Sequence, residues 1–254
     1  MKFSNCILIL LISISSFCQA QEIIKSDSLK IDIKTNKKFN YKALIIPSVL
    51  MSYGIIGIES DQLKSFNSQI EEEVTENIDK KITIDDFSQY APAAAVYALN
   101  FSGIKGKNNL RDRSIILGTS YLLMGSSVYA LKNSAKVERP DHSGFNSFPS
   151  GHTATAFAGA EFLWQEYKDV SIWYGISGYI VASGTGIFRI YNNKHWLTDV
   201  AMGAGIGILS TKVAYWMFPY IDKHIFKSTR NSSALVAPFY NGNQMGLGML
   251  INMK

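Results

Sequence analysis

The sequence predicts an all-α protein: an antiparallel bundle of about six helices, membrane-embedded, followed by a short β-hairpin-like tail. Three observations predict it. Apolar segments of helical length recur at 43–58, 90–102, 114–131, 153–166, 172–188 and 198–218, with polar connections between them. Charged residues are only 18% of the chain and hydrophobic ones 47%, a balance that suits a buried helical bundle or a modest membrane protein. Glycines at 203, 205 and 207 mark a helix face built for close packing, with no lysine-serine pair after them to make a phosphate loop.

In chain order, residues 1–20 read as a secretory leader. Lys2 is the positive start, Ile7 to Ile14 the apolar centre, and Cys18-Gln-Ala20 a small-x-small cleavage site. Cys6 and Cys18 are the only cysteines, so the rest of the chain has no disulfide framework and no thiolate metal site. Residues 21–42 are a lysine-rich polar linker, and 43–58 a short helix containing Pro47, Gly54 and Gly57. Residues 59–89 are acidic, nine Asp or Glu against three Lys, with Glu71-Glu72-Glu73 as a solvated helix face. Pro92 suits the first turn of the helix at 90–102. Four bases, Lys105, Lys107, Arg111 and Arg113, crowd the loop 104–113. If the bundle spans a membrane, the positive-inside rule puts this loop in the cytoplasm.

A spanning helix needs ~20 apolar residues, ~17 at least. Segments 114–131 and 172–190 qualify, while 43–58, 90–102 and 153–164 are short. Lys212 interrupts the last helix and must face the interior or snorkel. The lysines of 21–42 also read as inside, whereas a cleaved leader leaves the new N-terminus outside. Three arrangements therefore stay open: segment 43–58 does not span, the leader is retained, or the bundle is soluble and periplasmic. Within 222–254, Ala234 to Tyr240, Asn241-Gly242 and Met245 to Met253 read as a hairpin. The organisation is thus a leader at 1–20, a linker at 21–42, a helical domain at 43–221 with its core at 90–219, and a tail at 222–254.

Three polar clusters punctuate the helical core: Lys132 to Arg139-Pro140, then Pro149-Ser150-Gly151-His152, then Arg189 to His195 and Asp199. They stand at a helix C-terminus, an N-terminus, a C-terminus and an N-terminus in turn. Short connections make neighbouring helices antiparallel, so that order gathers them on one face. Three cations, two imidazoles and two helix N-termini on one face describe an oxyanion site. The net charge is +5, but no basic run interleaves with aromatics, which argues against a nucleic-acid partner.

These clusters resemble the signature of the type 2 phosphatidic acid phosphatase superfamily, shared with bacterial acid phosphatases and vanadium haloperoxidases. Its pattern is Lys-x6-Arg-Pro, Pro-Ser-Gly-His, then Ser-Arg-x5-His-x3-Asp. Every spacing agrees, and the one departure is Phe188 where the family has serine before the arginine. The resemblance implies a phosphatase acting without a metal or other cofactor on a phosphorylated lipid in the membrane. It implies His195 as nucleophile, Asp199 fixing its tautomer, and His152 as general acid. Lys132, Arg139, Ser150, Gly151 and Arg189 would hold the phosphate. The site would face the periplasm from the inner membrane of a bacterial envelope. Two alternatives share the residues: a soluble periplasmic acid phosphatase, and a non-catalytic anion-binding protein. His142 and His224 fit no motif and read as surface residues, and Thr153 and Thr155 as helix-start or packing residues.

Overall fold

The computed structural model describes residues 41–77, 83–226, 232–240 and 245–253. The leader, and the linker up to residue 40, fall outside the described residues. A 3-10 turn at Tyr41–Leu44 leads into α1 (Ile45–Glu59), then α2 (Asp61–Asn77) and the single turn α3 (Asp85–Ser88). Next come α4 (Ala91–Phe101), α5 (Leu110–Ala135), α6 (Gly151–Tyr167), α7 (Ile172–Tyr191) and α8 (Leu197–His224). The tail forms β1 (Ser232–Tyr240) and β2 (Met245–Met253), paired antiparallel with Tyr240 opposite Met245. The six apolar helices and the hairpin are those read from the sequence; the hairpin's turn lies outside the described residues. Two further helices, α2 and α3, arise from the acidic segment.

Helix α6 is the hub, with α4, α5, α7 and α8 packed around it. It can be, because its first half is rich in small residues: Ala154, Ala156, Ala158, Gly159 and Ala160 are buried. The partner helix α8 answers with glycine. A Cβ on Gly203 would lie 2.4 Å from the Ser150 carbonyl oxygen, and one on Gly207 2.3 Å from that of Ala154. The two backbones therefore touch, as the glycine pattern implies. Gly205 faces the other way, where its Cβ would meet Pro47 and Met51 of α1.

Local signals set the helix starts. Ser150 caps α6, its Oγ accepting from the Thr153 N–H at 3.4 Å, and Asn109 caps α5 by accepting from the Asp112 N–H at 2.9 Å. The helices also overrun the ranges read from the sequence. Lys132 and Arg189 fall in the last turns of α5 and α7 rather than beyond them, and His152 falls in the first turn of α6 rather than before it.

Two ion pairs are buried away from the site. Lys212 Nζ lies 2.6 Å from Glu161 Oε1, which settles its placement in favour of the interior. Arg113, read as part of an exposed basic loop, is instead buried beside Glu166, with side-chain exposures of 1% and 0%. Glu166 stands 15 residues after Gly151, roughly 22 Å along α6. The basic loop is therefore anchored at the end of α6 opposite the signature residues.

Among the described residues, three helices are long and apolar enough to cross a membrane: Tyr41–Glu59, Leu110–Ala135 and Leu197–His224. This corrects two readings. Segment 43–58 gains residues at both ends and reaches 19, while α7 is diluted by Gly, Ser and Tyr and does not qualify. Large apolar side chains point outward along α1 and α7, among them Ile46, Val49, Ile56, Trp173, Ile180 and Ile187.

Candidate active site

The starts of α6 and α8 are tied together by the Ser150 N–H donating to the Asp199 carbonyl at 3.1 Å. This places His195, just before α8, beside the N-terminus of α6. The His195 side chain is only 2% exposed. Burial drives its pKa down, the charges of Lys132 and Arg189 add to this, and Asp199 opposes it; the result is about 4. The imidazole is therefore neutral at physiological pH, as a nitrogen nucleophile must be.

Its Nδ1 faces Asp199 Oδ2 at 3.6 Å, too long for a hydrogen bond. A third group intervenes. The Ser147 hydroxyl donates to Asp199 Oδ2 at 2.5 Å and lies 3.5 Å from His195 Nδ1. The same carboxylate accepts from the Trp196 N–H at 3.0 Å. Asp199 thus stands where the sequence puts it, but shares the histidine's Nδ1 side with Ser147, which the motif reading missed.

The cations converge from three directions. Lys132 Nζ donates to the Asn146 carbonyl, and Arg139 Nε to Asn146 Oδ1 at 2.7 Å, so one asparagine organises both. Arg139 is itself pushed down in pKa, first by burial and then by the charge of Arg189. The loop carrying Arg139 is clipped to the third cluster by Lys194 Nζ, 2.5 Å from Asp141 Oδ2. Burial raises the Asp141 carboxyl, but hydrogen bonds from Lys194 and Ser143 outweigh this and bring it to about 2. Ser150 Oγ lies 2.9 Å from Thr153 Oγ1, and Gly151 begins the helix whose first N–H groups have no intrahelical acceptor.

Arg189 has a partner that no motif announced. Its Nη1 donates at 2.5 Å to Oδ2 of Asp85, a residue only 1% exposed, whose Oδ1 accepts from Asn192 Nδ2 at 3.1 Å. Among the described residues, Arg189 Nε is buried without a hydrogen-bond partner. Asp85 fixes the guanidinium on one edge, which sets the direction of its remaining donors. Next to it, His152 Nε2 lies 2.9 Å from Asp86 Oδ1. Burial first, then Arg189, lower the His152 pKa below its ordinary value, with Asp86 and Asp85 opposing. Asp85, Asp86 and His152 lie close enough to bracket a cation, but both Asp85 oxygens already serve Arg189 and Asn192.

All eight signature residues thus gather at one end of the bundle. His142 is exposed and paired with Glu138, and His224 stacks on Tyr220, so both stay outside the site. The four residues missed, Asp85, Asp86, Asn146 and Ser147, come from connections between the apolar segments. Polar residues in such stretches carry no periodicity that sequence reading could use.

A helical bundle that presents three cations and two imidazoles at helix ends has the charge and donor pattern that suits an oxyanion. Residues 113–223 match the model of the PAP2 superfamily. The chain is 45% identical over 137 residues to a lipid A 1-phosphatase from Porphyromonas gingivalis, covering 53% of this chain and 30% of that one. It is 37% identical over 93 residues to a probable diacylglycerol pyrophosphate phosphatase from Schizosaccharomyces pombe, covering 32% and 33%. The chain spans about a third of the length of these curated relatives. A solved PAP2-type phosphatidylglycerolphosphate phosphatase from Bacillus subtilis superposes with a TM-score of 0.47 at 19% identity, over 70% of this chain and 98% of that one.

Proposed function

We propose that the protein is a metal-independent phosphatase that hydrolyses a phosphomonoester or diphosphate of a membrane lipid through a phosphohistidine. The observation that carries this reading is the buried His195 imidazole, its Nδ1 side occupied by Ser147 and Asp199, at the end of the bundle that also gathers Lys132, Arg139 and Arg189. His195 Nε2 attacks phosphorus in line while Ser147 and Asp199 hold the Nδ1 side. Lys132, Arg139, Arg189 and the first amides of α6 oppose the charge that builds on the equatorial oxygens. His152 protonates the leaving oxygen, then takes a proton from the water that cleaves the phosphohistidine. Fixed cations perform the charge neutralisation that a divalent ion performs elsewhere.

A lipid substrate fits the outward apolar side chains of α1 and α7, which suit acyl chains better than water. The same belts favour an embedded bundle over a soluble periplasmic enzyme. With the basic loop 104–113 at the far end, the positive-inside rule puts the site on the periplasmic side of an inner membrane. The relative named lipid A 1-phosphatase makes a lipid A 1-phosphate the first substrate to try.

The test is phosphate release from a panel of lipid A 1-phosphate, phosphatidate, phosphatidylglycerol phosphate and a polyprenyl diphosphate, with and without chelator. The parent should release phosphate from at least one lipid equally in both conditions, and His195→Ala should lose at least ~10³-fold. Loss of activity with chelator, or a His195→Ala variant as active as the parent, refutes the mechanism. Vanadate binding without phosphate release from any lipid would leave the non-catalytic alternative standing.

A further inference from the structure

We infer that Asp86 is the positioning residue of the general acid: its carboxylate holds Nε2 of His152, so that Nδ1 carries the proton delivered to the leaving oxygen. The inference rests on the phosphatase reading above and deepens it. Asp86 lies outside the 113–223 segment that matches PAP2, and its contact with His152 at 2.9 Å joins residues 66 apart in sequence.

An ion pair this exposed, 30% for His152 and 53% for Asp86, would ordinarily count for little. What gives it consequence is how the carboxylate is delivered. The one-turn helix α3 is fastened on both sides of Asp86. Asp85 is locked by Arg189 and Asn192, and Ser88 Oγ lies 2.8 Å from Thr185 Oγ1 of α7. Gln89 closes the turn by donating to the Asp86 carbonyl at 2.9 Å. The Asp86 side chain therefore leaves a fixed platform toward His152, although half of its surface stays in solvent.

The neighbouring charges define what it does there. The charged groups that act on His152 are Arg189 from α7 and Asp85 and Asp86 from α3. Asp85 spends both its oxygens on Arg189 and Asn192, so it supports the imidazolium only through space, whereas Asp86 touches the ring. Burial and Arg189 both work against the imidazolium, so Asp86 is the available group that favours the protonated acid. It also selects the nitrogen. With Nε2–H pointing to the carboxylate, Nδ1–H is the proton in play. As the His195 Nε2–P bond forms and the P–O bond to the leaving group breaks, that proton goes to the departing oxygen. Neutral His152 then accepts a proton from the attacking water, inorganic phosphate leaves, and the Asp86 contact is restored to its starting charge.

The experiment uses the full chain in detergent with two substrates, a lipid alkyl phosphate and p-nitrophenyl phosphate, comparing the parent with Asp86→Asn and Asp86→Glu. A nitrophenolate leaves with little protonation, an alkoxide does not. Asp86→Asn should lower kcat for the alkyl phosphate about tenfold and leave the aryl ester within about twofold. It should move the alkaline limb of the pH profile to lower pH with KM unchanged, and Asp86→Glu should recover part of the loss. Circular dichroism should show both variants folded, since the side chain is half exposed. Equal losses on both substrates, or no loss, would overturn the inference. So would a fall in KM with a rise in kcat, which would make Asp86 a competitor for the phosphate rather than a support for the acid. A parent that releases phosphate from neither substrate sinks the phosphatase reading first and this inference with it.

Discussion

Asp85→Asn separates the two roles of Arg189, as a buried structural cation and as part of an anion site. In the free protein Asp85 is 1% exposed and its carboxylate is the hydrogen-bonded counter-ion of an arginine side chain that is 9% exposed. Removing one member of such a pair leaves an uncompensated buried charge, which costs about 3–5 kcal/mol. Asparagine keeps an acceptor for one of the two donors, so the lower figure applies, about 3 kcal/mol. At ~2–4 °C per kcal/mol for a chain of this size, the melting temperature should fall by about 6–12 °C. Phosphate or vanadate should then raise it more steeply in the variant than in the parent, because Arg189 meets the anion unpaired. For reference, an anion at a hundred times its Kd adds about 2.7 kcal/mol. Thermal melts of the detergent-solubilised protein across an anion titration read both quantities. A variant that melts with the parent would remove the buried pair from the account. An anion-dependent gain no larger than the parent's would remove Arg189 from the phosphate site.

The pH dependence of kcat/KM should be bell-shaped and centred on the acid side. His195 must be neutral, so activity rises as pH passes about 4. His152 must be protonated, so activity falls again as pH passes its pKa, which burial and Arg189 hold below 6.5. The limb in kcat should lie higher than that in kcat/KM, because a bound dianion favours the imidazolium. A maximum in kcat/KM above pH 7 would contradict these assignments. Gly207→Ala should destabilise by about 3 kcal/mol, since its Cβ would stand 2.3 Å from the Ala154 carbonyl oxygen, backbone that cannot yield. Gly118→Ala, in a helix where an added Cβ would meet no atom of the described residues within 4 Å, should stabilise by about 0.5–1 kcal/mol. Paired melts check the contrast. Lys212→Met should lower the melting temperature by stranding the buried Glu161 carboxylate, and Lys212→Met with Glu161→Gln should recover most of the loss.

The fold was legible wherever apolar spacing carried it, and less so where packing decided. The six apolar helices follow from apolar runs of helical length, and the glycines of α8 announced a contact so close that a Cβ on Gly203 or Gly207 would clash with backbone oxygens at the start of α6. Helix ends were read short because Lys132 and Arg189 look like punctuation in a sequence, whereas a last turn tolerates a cation that its carbonyls attract. Lys212 read as an interruption because its partner Glu161, 51 residues away, cannot be seen from α8 alone.

The site divides along the same line. Its signature residues were legible because they stand in three short clusters at helix ends, at spacings that match a known pattern. The residues that hold them were not. Asn146 supports Lys132 and Arg139, Ser147 supports Asp199, and Asp85 supports Arg189, and any of these tasks can be done by another polar residue on another connection. Only the geometry shows which was used. The acidic segment is the instructive case. By composition it is a solvated, charge-rich stretch, and most of it is exposed. Yet two adjacent aspartates in it meet a guanidinium and an imidazole in turn, one carboxylate 1% exposed and the other 53%. A one-turn helix can do this because consecutive side chains diverge by about 100° around it. Asp85 and Asp86 can therefore face different partners from a single anchored turn. Net charge along a segment says nothing about that divergence. The supporting half of this site had to be found in the coordinates.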